Sequence, residues 1–176
     1  MIVWRIAKFE RARSVEDMLN GEGASRYGGR WNPRGIPAVY CSENSSLAAL
    51  EILANLASPS TFPNHRILDL DVPDDAITAV SASTGDTRQI GAEMLRTRLA
   101  IMAPSAVNPL ERNVVINPVH ADFDKVVPGT IRAFEFDRRL VRQGHRPRTG
   151  LKSRPVGSHS DCNAATGSMR AAESAG

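Results

Sequence analysis

Tyr27-Gly28-Gly29-Arg30-Trp31-Asn32-Pro33-Arg34-Gly35-Ile36-Pro37-Ala38-Val39-Tyr40-Cys41-Ser42-Glu43-Asn44-Ser45-Ser46-Leu47-Ala48-Ala49-Leu50-Glu51 passes from a glycine-rich loop through a short apolar strand into a helix. Glycines let a backbone approach a ligand closely, and the guanidinium of Arg30 offers a planar fork to phosphate oxygens. The alternative for Arg30 is an ion pair with a surface carboxylate. Tyr40 ends the strand, where its ring can stack on a flat heterocycle with the hydroxyl turned outward, or can simply be half-buried. Ser42 or Asn44 can cap the helix, which the spacing predicts to run through Leu56 and to stop at Pro59 and Pro63. On it Glu51 shares a face with Leu47, Ala48 and Ala54, where an ionised carboxylate is costly unless it is paired or has a chemical task.

Outward from this stretch, Ile2, Trp4 and Ile6 alternate with Val3 and Arg5 as a first strand with one face buried. Residues 20–35 are rich in Gly, Asn, Pro and Ser and read as one long loop. Further strands are expected at Ile67–Val72, Ala76–Ala82, Leu99–Ala103, Asn113–Ile116 and Ile131–Phe136, with a helix at Thr87–Thr97 and a turn at His120–Asp124. About seven strands and two helices in mixed order make an α+β domain. Gly21-Glu22-Gly23-Ala24-Ser25-Arg26 begins like a dinucleotide-binding fingerprint but fails at Arg26, and no strand precedes it.

The chain has 176 residues, enough for one domain with a core. Its net charge of +3 is unevenly placed. Residues 1–137 carry 14 basic and 17 acidic groups, and residues 138–176 carry 8 and 2. The basic balance thus belongs to the C-terminal stretch and argues against nucleic-acid binding by the core. Residues 143–176 hold few large apolar groups and are expected to form a disordered basic tail behind a domain spanning 1–142. No apolar run reaches the roughly 18 residues of a membrane helix, and no signal peptide is recognised, so a cytoplasmic protein is expected. Cys41 and Cys162 match no redox or metal spacing; Cys41 reads as a buried apolar residue and no disulfide is expected. The four histidines do not cluster. His120 with Asp122 and Asp124 is too sparse for a metal site, and none is expected.

Ser105, in Pro104-Ser105-Ala106-Val107, follows an apolar run without the Gly-x-Ser-x-Gly elbow of a serine hydrolase. Its hydroxyl reads as a hydrogen-bonding group in a pocket or as a turn serine, and Asn113 has similar readings. Taken in order, Tyr27–Asn32, Val39–Glu43 with Leu47–Glu51, Pro104–Val107 with Glu111–Asn113, Asn117–His120, and Phe136–Leu140 resemble the RES domain, the toxin half of RES–Xre toxin–antitoxin pairs. The resemblance implies a mixed β core like that of ADP-ribosyltransferases, enclosing a cleft for NAD. Arg30, Glu51 and Ser105 then occupy the three positions that name the family, with Tyr27, Tyr40 and Asn113 as pocket residues. It also implies NAD as the substrate consumed, water, phosphate or a protein side chain as acceptor of ADP-ribose, and an Xre-family antitoxin with a helix-turn-helix domain as partner. A non-catalytic module that merely holds a nucleotide is the alternative. A nucleic-acid binder acting through the basic tail is weaker still, because that tail lacks interleaved aromatics.

Overall fold

The computed structural model describes residues 1–56, 64–80 and 85–141. They belong to one compact unit, Met1–Gln143. The expected tail and the helix-stopping Pro59 and Pro63 lie outside the described residues.

Eight strands form one mixed sheet: β1 (Ile2–Lys8), β2 (Val39–Ser42), β3 (His65–Asp71), β4 (Ile77–Ala79), β5 (Ala100–Pro104), β6 (Arg112–Ile116), β7 (Val127–Pro128) and β8 (Arg132–Phe134). Their order is β4-β5-β6-β2-β1-β3-β7, with β8 also paired to β3. Every pairing is antiparallel except β4 with β5. This is the α+β arrangement expected, with a mixed β core. The two-residue β7 has too short a sequence signal to be read from periodicity.

Strand β5 and the second half of β6 are covered on both faces, so they read as apolar runs; Val114, Val115 and Ile116 are fully buried. β1 is central too, and its periodicity is misleading. Its well-buried residues are Val3, Ile6 and Ala7, whereas Ile2 is 47% exposed. Val3 and Ala7 join the main core with Leu68, Leu70 and Val114. Arg5, on the same side of β1 by strand alternation, carries a cation into that face.

The helices are α1 (Val15–Leu19), α2 (Glu22–Tyr27), α3 (Ser45–Ala54) and α4 (Thr87–Leu95). Asn44 caps α3, its side chain accepting from the Leu47 amide at 2.8 Å. Ala48 packs with Ile6 and Ile67, fixing α3 against β1 and β3. The long loop expected over 20–35 is interrupted by α2. The Asn20 side chain accepts from the Glu22 amide at 2.9 Å. Gly21 and Gly28 flank the helix at φ 68° and 74°, backbone conformations that favour glycine. A six-residue helix between two glycines is too short to show an amphipathic period, so composition alone reads as loop.

Candidate functional site

The cleft opens where the sheet parts. β1 pairs with β3 along seven residues, but its register with β2 is the single pair Trp4–Ser42. Beyond that pair the Arg5 guanidinium bridges the gap, Nη1 donating to the Tyr40 carbonyl at 2.9 Å. The Arg5 Nε is buried without a partner among the described residues. Burial lowers the Arg5 pKa from its ordinary value, opposed by the Cys41 side chain and reinforced slightly by Arg11.

Two hollows meet at Arg5, Tyr40, Glu51, Asn55 and Asn113. The larger, about 470 Å³, is walled by Gly28, Gly29, Arg30 and Trp31. The other, about 320 Å³, is walled by Trp4, Ile6, Ala48 and Ile52 and is the more apolar of the two. One side thus offers cations and glycine backbone, the other flat and aliphatic surface. Glu51 stands at their junction.

Glu51 is held by its neighbours. Ser105 Oγ donates to Glu51 Oε1 at 2.7 Å, and Asn113 Nδ2 donates to the same oxygen at 2.6 Å. The Ser42 hydroxyl donates to Asn113 Oδ1 at 2.7 Å, which turns the amide nitrogen toward Glu51. Ser105 Oγ in turn accepts from the Val107 and Asn108 amides, each at 3.1 Å. Every polar atom behind Oε1 is therefore occupied, while Oε2 has no protein hydrogen-bond partner among the described residues. No cation pairs with this carboxylate among those residues, which leaves the buried-ion-pair reading of Glu51 without support.

Ser105 is 3% exposed and is not among the residues lining either hollow. Its hydroxyl bonds the Glu51 carboxylate. Asn113 both lines the hollows and holds Glu51.

On the opposite wall the Arg30 side chain lines the larger hollow, is exposed, and has no ion-pair partner among the described residues. Tyr40 does not turn its hydroxyl outward. It donates to Asn32 Oδ1 at 2.7 Å and accepts from the Trp31 amide at 2.9 Å, tying β2 to the loop. Its ring still lines both hollows. Burial pushes the Tyr40 phenol up to about 12, against weaker lowering by the Trp31 and Asn32 hydrogen bonds and by Arg88. Asn32 is fully buried, and its amide nitrogen reaches the carbonyls of Ala24, Pro33 and Ile36 at 2.8–3.1 Å. Trp31 is a core residue, as its size suggests, packed with Leu95, Ile101 and Val115.

Tyr27 stands apart from this group. It is 58% exposed, sits beneath the Arg11 guanidinium at 5.8 Å, and lines a neighbouring hollow of about 180 Å³ that shares Arg5, Arg11 and Gly23 with the larger one. The structure thus joins Arg30, Tyr40, Glu51 and Asn113 around one space, places Ser105 just behind it, and leaves Tyr27 at its margin. Arg5 and Ser42 complete the site and were not read from the sequence. For Arg5 the signal was a charged residue inside a strand between the apolar Trp4 and Ile6; Ser42, at the end of β2 before Glu43, offered no such signal. Among the described residues no group of three or more His, Cys, Asp or Glu could hold one metal ion. His120 instead accepts from the Asp122 amide through Nδ1 at 3.1 Å.

Toxin Res of Photorhabdus laumondii is 34% identical over 81% of this chain and 98% of its own length. The Prs ADP-ribosylating toxin of a Sphingobium strain is 31% identical over 80% of this chain and 96% of its own. A chain in the crystal structure of the Mycobacterium tuberculosis MbcT–MbcA toxin–antitoxin complex superposes with a TM-score of 0.55 at 19% identity, covering 76% of this chain and 83% of that one, a likeness of fold. The model of the RES domain matches residues 2–137, and the chain belongs to the RES domain family.

Proposed function

We propose that this protein is the toxin of a toxin–antitoxin pair and that it cleaves the bond joining nicotinamide to ribose in NAD, arresting growth of the cell in whose cytoplasm it acts. The observation that carries the reading is the Glu51 carboxylate, locked through Oε1 by Ser105 and Asn113 at the junction of a cationic and an apolar hollow. A dinucleotide cleaved at its glycosidic bond needs that set: cations for the pyrophosphate, a flat apolar surface for the ring, and a fixed anion between them. The relatives support it by name, one as an ADP-ribosylating toxin and another, of Mycobacterium tuberculosis, as the NAD(+) phosphorylase MbcT.

In this mechanism Arg30 and Arg5 hold the pyrophosphate, and the Tyr40 ring packs beside nicotinamide or its ribose. The bond from the ribose anomeric carbon to the pyridinium nitrogen breaks with both electrons passing to the ring, which leaves as neutral nicotinamide. Positive charge develops on the ribose, and the free Oε2 of Glu51 stabilises it or grips the 2′-hydroxyl. Asn113 and Ser105 keep the carboxylate in place. Water, phosphate or a protein side chain then adds to the anomeric carbon and gives up a proton. An antitoxin of the Xre type, with a helix-turn-helix domain, is the partner that closes the cleft; the structural neighbour comes from a toxin–antitoxin complex.

Incubating purified protein with NAD tests the proposal. Free nicotinamide should appear together with ADP-ribose, its 1″-phosphate or a modified protein, and the second product identifies the acceptor. NAD that binds and stays whole would instead make the chain a nucleotide-binding module.

A further inference from the structure

The Arg30 loop is gripped from outside the cleft by α4. Three consecutive loop carbonyls face that helix. The Gly29 carbonyl accepts from Arg88 Nε at 3.0 Å, and the Arg30 carbonyl from Thr87 Oγ1 at 2.7 Å. The Trp31 carbonyl lies so close to Gly91 that a Cβ there would collide with it. α4 thus holds the loop by these three carbonyls as well as by packing Leu95 with Trp31, and Thr87, Arg88 and Gly91 line neither hollow of the cleft. Arg88 is exposed and its guanidinium pairs with no carboxylate among the described residues; it donates to the Gly29 carbonyl. The loop needs such support. Gly28 stands at φ 74°, Gly28 and Gly29 supply no side chain to pack, and the Arg30 side chain has no hydrogen-bond or ion-pair partner among the described residues. Tyr40 and Asn32 fasten only the inner side of the loop.

We propose that Thr87 and Arg88 are positioning residues that set where Arg30 stands and thereby the affinity of the cleft for a diphosphate. The inference rests on the reading of Arg30 as the pyrophosphate grip, but its test does not require turnover. ADP-ribose keeps the diphosphate and lacks the scissile bond, so its binding can be followed by calorimetry.

The paired variant Thr87→Val with Arg88→Ala should weaken ADP-ribose about 10-fold, and the same pair introduced beside Arg30→Ala should change it less than about 2-fold, since the grip is already gone. Arg88→Lys, which retains one donor, should recover part of the loss when Thr87 is intact. If wild type turns NAD over, the paired variant should raise KM and leave kcat within about 3-fold. Equal weakening with and without Arg30, in variants that melt like wild type, would assign α4 a purely structural role and overturn the proposal. Wild type that fails to bind ADP-ribose overturns it together with the pyrophosphate reading. ADP-ribose bound with the expected coupling, while NAD stays intact, upholds the clamp and removes only the enzymatic reading.

Discussion

Glu51 enters the cleft from a helix and is itself fixed by Asn113 of β6 and by Ser105 just after β5, whereas Arg30 enters from a glycine loop that is fixed through its backbone and its neighbours Trp31 and Asn32. On the Glu51 wall, Ser42, Asn113 and Ser105 form a chain of short hydrogen bonds in which each group has its donors and acceptors assigned. On the Arg30 wall the hydrogen bonds end at carbonyl and amide groups of the loop, and the Arg30 guanidinium has no hydrogen-bond partner among the described residues. A carboxylate facing a developing charge gains from standing still, because a preorganised dipole or charge needs no rearrangement during reaction. A cation that grips a flexible diphosphate gains from some freedom. In the proposed reaction the two walls would thus divide the work, one for the chemical step and one for holding the substrate.

Glu51→Gln should give the largest effect, because it removes the charge and keeps the shape. A glutamine Oε1 can still accept from Ser105 and Asn113, so folding should be close to unchanged while kcat falls about 1000-fold, roughly 4 kcal/mol. Nicotinamide release and melting temperature, measured on the same sample, check both halves. Full activity would place the reacting charge elsewhere and dissolve the division between the walls. Melting well below wild type would mean that the carboxylate serves the fold first.

Tyr40→Phe probes the tie between the walls, since Tyr40 lines both hollows while its hydroxyl holds the loop. Losing the hydroxyl strands the Trp31 amide and the Asn32 carbonyl oxygen and should cost about 2 kcal/mol of stability at neutral pH. The wild-type phenol titrates near 12, above its ordinary value of 10, because the fold favours its neutral form. The stability this contributes is complete below about pH 10 and is lost as the pH climbs toward 12. The Cys41 thiol, also pushed up to about 12 by burial, loses its contribution over an overlapping range in both proteins. Denaturant unfolding should thus show the two curves converging between pH 10 and 12; a constant gap across that range would mean that the phenol is not buried as described.

How much of this was legible in the residues differs between the walls in the same way. Glu51 stood out as a carboxylate on an apolar helix face, and Asn44 as its cap, because both are local patterns on one helix. The sheet strands were legible where they are long and apolar, as in β5 and β6. Arg5 was not, because strand alternation was read as one wet and one dry face, and only the order β2-β1-β3 shows that β1 is enclosed and parts from β2. Ser42 was seen as a possible cap. Its bond to Asn113 crosses 71 positions of sequence, and no spacing rule reaches that far. The family resemblance located Ser105 and Asn113 but not the shared oxygen that unites them. Tyr27 followed the loop motif yet stands outside the two hollows, because α2 turns it toward Arg11.

Ser42→Ala is the finest cut, for it touches neither the cleft's charge nor the loop. Ser42 is 3% exposed, and its hydroxyl is the group that tells the Asn113 amide which way to face. Without it the amide is free to turn and present an oxygen to Glu51, where two acceptors repel each other, and the carboxylate loses one of its two donors. Ser105 still holds the same oxygen, so the carboxylate should be loosened rather than lost. A fall in kcat of about 10-fold, roughly 1.4 kcal/mol, is expected, with KM and ADP-ribose affinity within about 2-fold of wild type. The pattern is the reverse of that expected for Thr87 and Arg88, and the contrast is what the measurement decides. If Ser42→Ala instead weakens ADP-ribose and spares kcat, the β2 side of the sheet governs binding, and the separation of a chemical wall from a holding wall is wrong.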